Sequence, residues 1–146
     1  MAMLDVARDA LCGCPRAEGV EIEFRFPLLP LLFDTIHRQW AAYKGVAVPE
    51  PSVSRVMYSD ADDLRCVNGD WQRKRTLVYR RLPTAVRSAL VVSIESPAAP
   101  PQQEGYSTMT RIRWSYVTDP WRVDFTKSSR ACNVEVEFIG SVESLV

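Results

Sequence analysis

Short runs in which apolar and charged residues alternate limit this chain to a small set of folds. Successive side chains of a strand point to opposite faces, so a period of two gives one apolar and one polar face. In Val20-Glu21-Ile22-Glu23-Phe24-Arg25-Phe26 the polar face carries Glu21, Glu23 and Arg25. In Val134-Glu135-Val136-Glu137-Phe138 it carries Glu135 and Glu137. Arg111-Ile112-Arg113-Trp114-Ser115-Tyr116 has a basic face, and Arg122-Val123-Asp124-Phe125-Thr126 a mixed one.

With other strand-like runs bounded by turn signals, eight strands are expected, at roughly 19–26, 53–59, 62–68, 71–79, 88–95, 108–118, 121–127 and 133–140. Asn68-Gly69 and Asp119-Pro120 are short enough for antiparallel hairpins. A helix is expected over Leu28 to Lys44, where Leu29, Phe33, Ile36, Trp40 and Tyr43 recur at helical spacing. Pro30 suits its first turn and Gly45 its stop, and His37 reads as a residue of its polar face. A second helix over 3–11 has a weaker pattern. Residues 46–51 read as a connector, and Ser96 to Gly105, rich in proline and glutamine, as an exposed loop. The 146 residues suit one domain, a mainly β (α+β) unit with one or two packed helices. Its strands would form a closed eight-stranded antiparallel barrel or two packed sheets.

Lysine plus arginine balance aspartate plus glutamate at 18 each. A zero net charge argues against a general nucleic-acid clamp, so an RNA partner would be gripped at a local site. No apolar run reaches the roughly 18 residues of a membrane helix. Asp5, Arg8 and Asp9 near the start are unlike a signal peptide. Cys12, Cys14, Cys66 and Cys132 form no pair of Cys-x-x-Cys knuckles, and His37 is the single histidine, which disfavours a zinc site. Reduced thiols fit an intracellular protein, cytoplasmic or nuclear, or a virion component if the source is viral.

Two arrangements explain the sorted charges. The charged faces are wet and the apolar faces form a sandwich core, or the charged faces converge inside a barrel. Four glutamates sharing one lumen would repel and raise one another's pKa unless arginines or a cation compensated. A hard divalent ion such as Mg²⁺ or Mn²⁺, with oxygen ligands, would relieve that repulsion. Arginines elsewhere in the lumen would grip phosphates in bidentate fashion. By their faces, Arg73 and Arg75 read as surface residues. Trp114, Trp121 and Phe125 read as packing, and Trp71 could serve either purpose.

The ordered set resembles the triphosphate tunnel metalloenzymes, in particular the RNA triphosphatase branch of fungal and large-DNA-virus mRNA capping systems. Four stretches carry the resemblance: residues 20–26; Leu-Arg-Cys-Val-Asn-Gly-Asp-Trp-Gln-Arg-Lys at 64–74; residues 111–116 with 121–126; and Val-Glu-Val-Glu-Phe-Ile-Gly at 134–140. They span 20–140. The interval from Glu23 to Glu135 is short for this branch, so its loops would be short. The resemblance implies an eight-stranded antiparallel tunnel and metal-dependent release of the γ-phosphate from 5′-triphosphate RNA, the first step of capping. It implies a metal site of Glu21, Glu23, Glu135 and Glu137, three touching Mg²⁺ or Mn²⁺ and one orienting the attacking water. Arg25, Arg65, Lys74, Arg111, Arg113 and Arg122 match phosphate-binding positions, Arg113 with a part in catalysis. Asp124, Thr126 and Glu95 match supporting ones. Inorganic, nucleoside or thiamine triphosphate are alternative substrates. A guanylyltransferase is the implied partner, and a non-catalytic polyphosphate-binding subunit the alternative role.

Overall fold

A computed structural model describes residues 5, 6, 8, 19–59, 64–83, 87–101 and 106–140. It contains β1 (Val20–Leu28), α1 (Pro30–Lys44), β2 (Ser52–Ser59), β3 (Leu64–Val67), β4 (Asp70–Arg81), β5 (Ala89–Pro97), β6 (Ser107–Thr118), β7 (Trp121–Ser128) and β8 (Cys132–Phe138). The strands close into one antiparallel barrel in the order β1-β5-β4-β3-β2-β6-β7-β8, with β8 paired back onto β1. Closure removes the two-sheet alternative and leaves no free sheet edge. Each expected strand is present, with ends displaced by a residue or two where they are described. Asn68 and Gly69, with φ of 51° and 94°, make a two-residue turn of the primed type from β3 to β4. Of the second helix expected over 3–11, only Asp5, Val6 and Arg8 are described, all in helical backbone; the remainder, with Cys12 and Cys14, lies outside the described residues. No described helix is long and apolar enough to cross a membrane.

The alternation resolves with the polar faces inward. Ile22, Phe24, Leu90, Val92, Val136 and Phe138 form one outward-facing core, with Leu82 buried among them and Val6 against it. Phe33, Tyr116, Phe125 and Cys132 form a second core beneath α1. Trp114 lies against Phe33, and Trp121 against Phe24 and Phe138, so both are packing residues. Arg73 and Arg75 are exposed.

Helix α1 departs from its expected face. Leu28 completes β1, and the helix begins at Pro30, whose missing N–H costs nothing at this position. It ends in a Schellman motif: Gly45 donates to Ala42 and Val46 to Ala41. The buried residues are Phe33, His37 and Ala41, whereas Leu29 and Tyr43 are 68% and 85% exposed. His37, expected on the polar face, is therefore a core residue. It stacks on Phe125 at 4.4 Å between ring centroids, and its Nε2 lies 2.6 Å from the Tyr116 hydroxyl. An aromatic ring with one satisfied nitrogen packs as an apolar residue does, and the apolar face turns to include it.

Candidate active site

Pairing register fixes which side chains share the lumen. On the seam between β1 and β8, Glu23 lies opposite Glu137, and Arg25 opposite Glu135. Across β7 and β8, Arg122 faces Glu137 and Asp124 faces Glu135. Arg113 faces Thr126 between β6 and β7. Lys74 of β4 lies beside Glu95 of β5. These inward faces enclose a cavity of about 280 Å³. Twelve of the thirteen residues singled out in the sequence line it: Glu21, Glu23, Arg25, Arg65, Lys74, Arg111, Arg113, Arg122, Asp124, Thr126, Glu135 and Glu137. The thirteenth, Glu95, lies just outside and holds Arg65 at 2.8 Å.

The cavity is a lattice of opposite charges. Arg25 donates to Glu23 at 3.0 Å, and Lys74 lies 3.2 Å from Glu21. Arg122 is bound to Glu137 and, at 3.1 Å, to Asp124. Arg113 donates to Thr126 Oγ1 at 3.2 Å and lies 3.9 Å from both Asp124 and Glu135. Seven basic side chains line the cavity against five carboxylates, the seventh being Arg130. A chain with no net charge thus keeps a cationic excess inside its barrel.

The carboxylates differ in their electrostatics. Burial and the charge of Glu23 push Glu135 up to about 7, with Arg113 opposing. Burial also draws Glu23 upward, but Arg25, Lys74 and a hydrogen bond with Glu135 outweigh it and leave its pKa below the ordinary value. Of the two, Glu135 is the more readily protonated and Glu23 the more readily ionised. Glu137 is raised by burial and by the charges of Glu21, Glu23 and Asp124, against the pull of Arg122. For Arg111 the pull of Glu135 and Tyr58 is too weak to compensate. Burial and the charges of Arg113 and Arg65 lower its pKa, and its Nε is buried with no hydrogen-bond partner. Asp124 Oδ1 is likewise buried and unpaired.

The donor set suits a hard divalent cation, being all carboxylate oxygen. Glu23 and Glu135, each shifted by the other's charge or hydrogen bond, are two carboxylates that could hold one. All four tunnel glutamates have basic neighbours: Lys74 beside Glu21, Arg25 on Glu23, Arg122 on Glu137 and Arg113 at 3.9 Å from Glu135. Among the described residues no group of three or more His, Cys, Asp or Glu is gathered as a metal site.

Sequence reasoning missed lining residues at the rim. Tyr58 of β2 and Arg130 of the β7–β8 turn both line the cavity, with the Arg130 guanidinium 4.9 Å from the Tyr58 ring centroid. Arg130 sits in a turn, where no alternation exists to flag it. Tyr58 shares the inward phase of Ser54 and Val56 but carries no charge. Trp71 lies outside this cavity and packs edge-on against Tyr106.

No protein family's sequence profile matches the chain, and no curated protein sequence matches it. Solved structures do. The RNA triphosphatase Pct1 of S. pombe superposes with a TM-score of 0.68 at 15% identity, over 99% of this chain and 81% of that one. Pct1 in complex with the Spt5 CTD gives 0.63 at 17% identity, over 94% and 78%. At such identities the likeness is one of architecture: this chain folds as the same closed eight-stranded tunnel barrel.

Proposed function

We propose that this protein is a metal-assisted RNA 5′-triphosphatase, which removes the terminal phosphate from triphosphate-ended RNA. The observation that carries the reading is the tunnel's charge: seven basic side chains against five carboxylates in a chain of zero net charge. A polyphosphate satisfies that excess. Arg111, which has an unpaired donor, and Arg113 would grip the phosphate to be transferred, while Arg25, Arg65, Lys74 and Arg122 neutralise the rest of the tail. Glu23 and Glu135 would hold Mg²⁺ or Mn²⁺. When bound, such an ion polarises a phosphoryl oxygen and supports an attacking water. Glu21 or Glu137 would orient that water and accept its proton, with Asp124 and Thr126 fixing Arg122 and Arg113. Charge placement of this kind carries most of the rate in phosphoryl transfer. The products are orthophosphate and a diphosphate end, the chemical substrate of a guanylyltransferase, the proposed partner. The reaction belongs where RNA is capped, in the nucleus, the cytoplasm or a viral particle.

RNA is drawn from the resemblance and the fold neighbours. The cavity favours a second reading in one respect. At about 280 Å³ it falls just below the roughly 300–1,000 Å³ of small-molecule pockets, so it admits a triphosphate tail and leaves the carrier outside. Inorganic, nucleoside or thiamine triphosphate would enter equally well. The deciding experiment supplies γ-labelled RNA, nucleoside triphosphates and inorganic triphosphate with Mg²⁺ or Mn²⁺. Phosphate release from RNA, abolished in the E21A/E23A double variant, is expected. Release from none of them would leave a polyphosphate-binding module and overturn the enzymatic reading.

A further inference from the structure

Five of the seven basic tunnel residues are tied to carboxylates; Arg111 and Arg130 are the two that are not, among the described residues. Arg111 faces the buried interior, as described. Arg130 is exposed at the end of the barrel where β7 turns into β8. Its backbone is fixed there: the N–H groups of Arg130 and Ala131 both donate to Ser128 Oγ at 3.2 Å. Its guanidinium lies over Tyr58, a half-buried ring of β2, which is two strands along the barrel from β7. From Glu135 to Cys132, β8 advances about 10 Å toward this turn at the usual strand rise. A triphosphate whose terminal phosphate lies by Glu135 and whose tail runs toward this end would emerge beside Arg130 and Tyr58.

We infer that Tyr58 and Arg130 form a stacking clamp for the first nucleobase of the molecule whose triphosphate occupies the tunnel. The inference rests on the triphosphate reading above and adds the part of the substrate that the cavity does not enclose. A guanidinium plane and a phenol ring each stack on a base. Every base presents a π-face, so the clamp separates nucleotides from inorganic triphosphate without choosing among bases. In the free protein the two groups occupy each other, and an entering base takes the place of that contact.

The test is calorimetric binding, with Mg²⁺, of two probes: tripolyphosphate and a dinucleotide bearing a non-hydrolysable 5′-triphosphate. The unaltered protein should bind the dinucleotide more tightly. Arg130→Ala should lose roughly tenfold more on the dinucleotide than on tripolyphosphate. Arg130→Lys, which keeps the charge but not the plane, should not restore the loss. Tyr58→Phe should bind normally, and Tyr58→Leu should mimic Arg130→Ala. Equal losses on both probes would make Arg130 a phosphate ligand and overturn the clamp, as would unchanged dinucleotide binding in Arg130→Ala. Binding of neither probe by the unaltered protein would instead sink the triphosphate reading itself.

Discussion

Arg111 illustrates how a single residue is held against its own preference. A buried donor without a partner costs about 1–3 kcal/mol, and here two like charges stand beside it. Arg111→Ala is therefore expected to leave the melting temperature of the free protein unchanged or higher, while weakening tripolyphosphate binding about 10- to 100-fold. Thermal melts with calorimetry check both; a variant that lost stability would make Arg111 a structural residue. Glu135 gives a second outcome, in pH. Its folded pKa of about 7 lies above the ordinary 4.5, so the folded state binds the extra proton. Its contribution is fully present below the ordinary value and lost as pH rises through about 7. With chelator present, Glu135→Gln should remove that decline from the melting temperatures; an unchanged slope would place the proton elsewhere. The charges of these residues were legible in the sequence because alternation is local. Their pairings were not. Lys74 meets Glu21 and Arg65 meets Glu95 through the register of a closed barrel, which no one strand encodes.

Among the elements, α1 is where a simple reading of periodicity went astray. Counting apolar letters at helical spacing included Leu29 and Tyr43 and passed over His37, yet packing took His37 and left the other two in solvent. Burial holds His37 below its ordinary pKa, with Asp34 opposing, and burial raises Tyr116, so a neutral imidazole pairs with a neutral phenol. As pH falls, the imidazole of the unfolded chain takes up its proton first. Stability from the docked helix is therefore present above about 6.5 and is lost as pH falls through the unfolded value toward the depressed folded one. This slope is opposite to that of Glu135, so the two effects partly cancel in the unaltered protein. Melting curves from pH 7 to 5 should show the acid loss reduced in His37→Phe and steepened in Glu135→Gln. Phe33, fully buried beneath the same helix, sets the scale of docking: Phe33→Ala should lower stability by about 3–5 kcal/mol, measured by denaturant unfolding. A loss well under 1 kcal/mol would mean that the helix contributes little to the fold.

For the molecule as a whole, eight strands were readable, four of them from runs of period two, but closure was not, because a sandwich and a barrel use the same runs. What decides is which faces are apolar enough to need cover, and here α1 and Val6 cover the outside. Closure has a further consequence in time. The barrel shuts between β1 and β8, the first and last strands, and that joint carries Glu23, Arg25, Glu135 and Glu137. Contacts between residues so distant in sequence form slowly, since loop-closure entropy must be overcome before they stabilise anything. Trp121 of β7, packed against Phe24 of β1 and Phe138 of β8, reports on the joint. In refolding experiments, tripolyphosphate binding should return only with the slowest phase of Trp121 fluorescence, and binding recovered earlier would show that the anion site precedes closure. A ribosome making this chain must therefore deliver β8 before the paired carboxylates exist at all, and a nascent chain lacking that strand carries acidic residues but no centre.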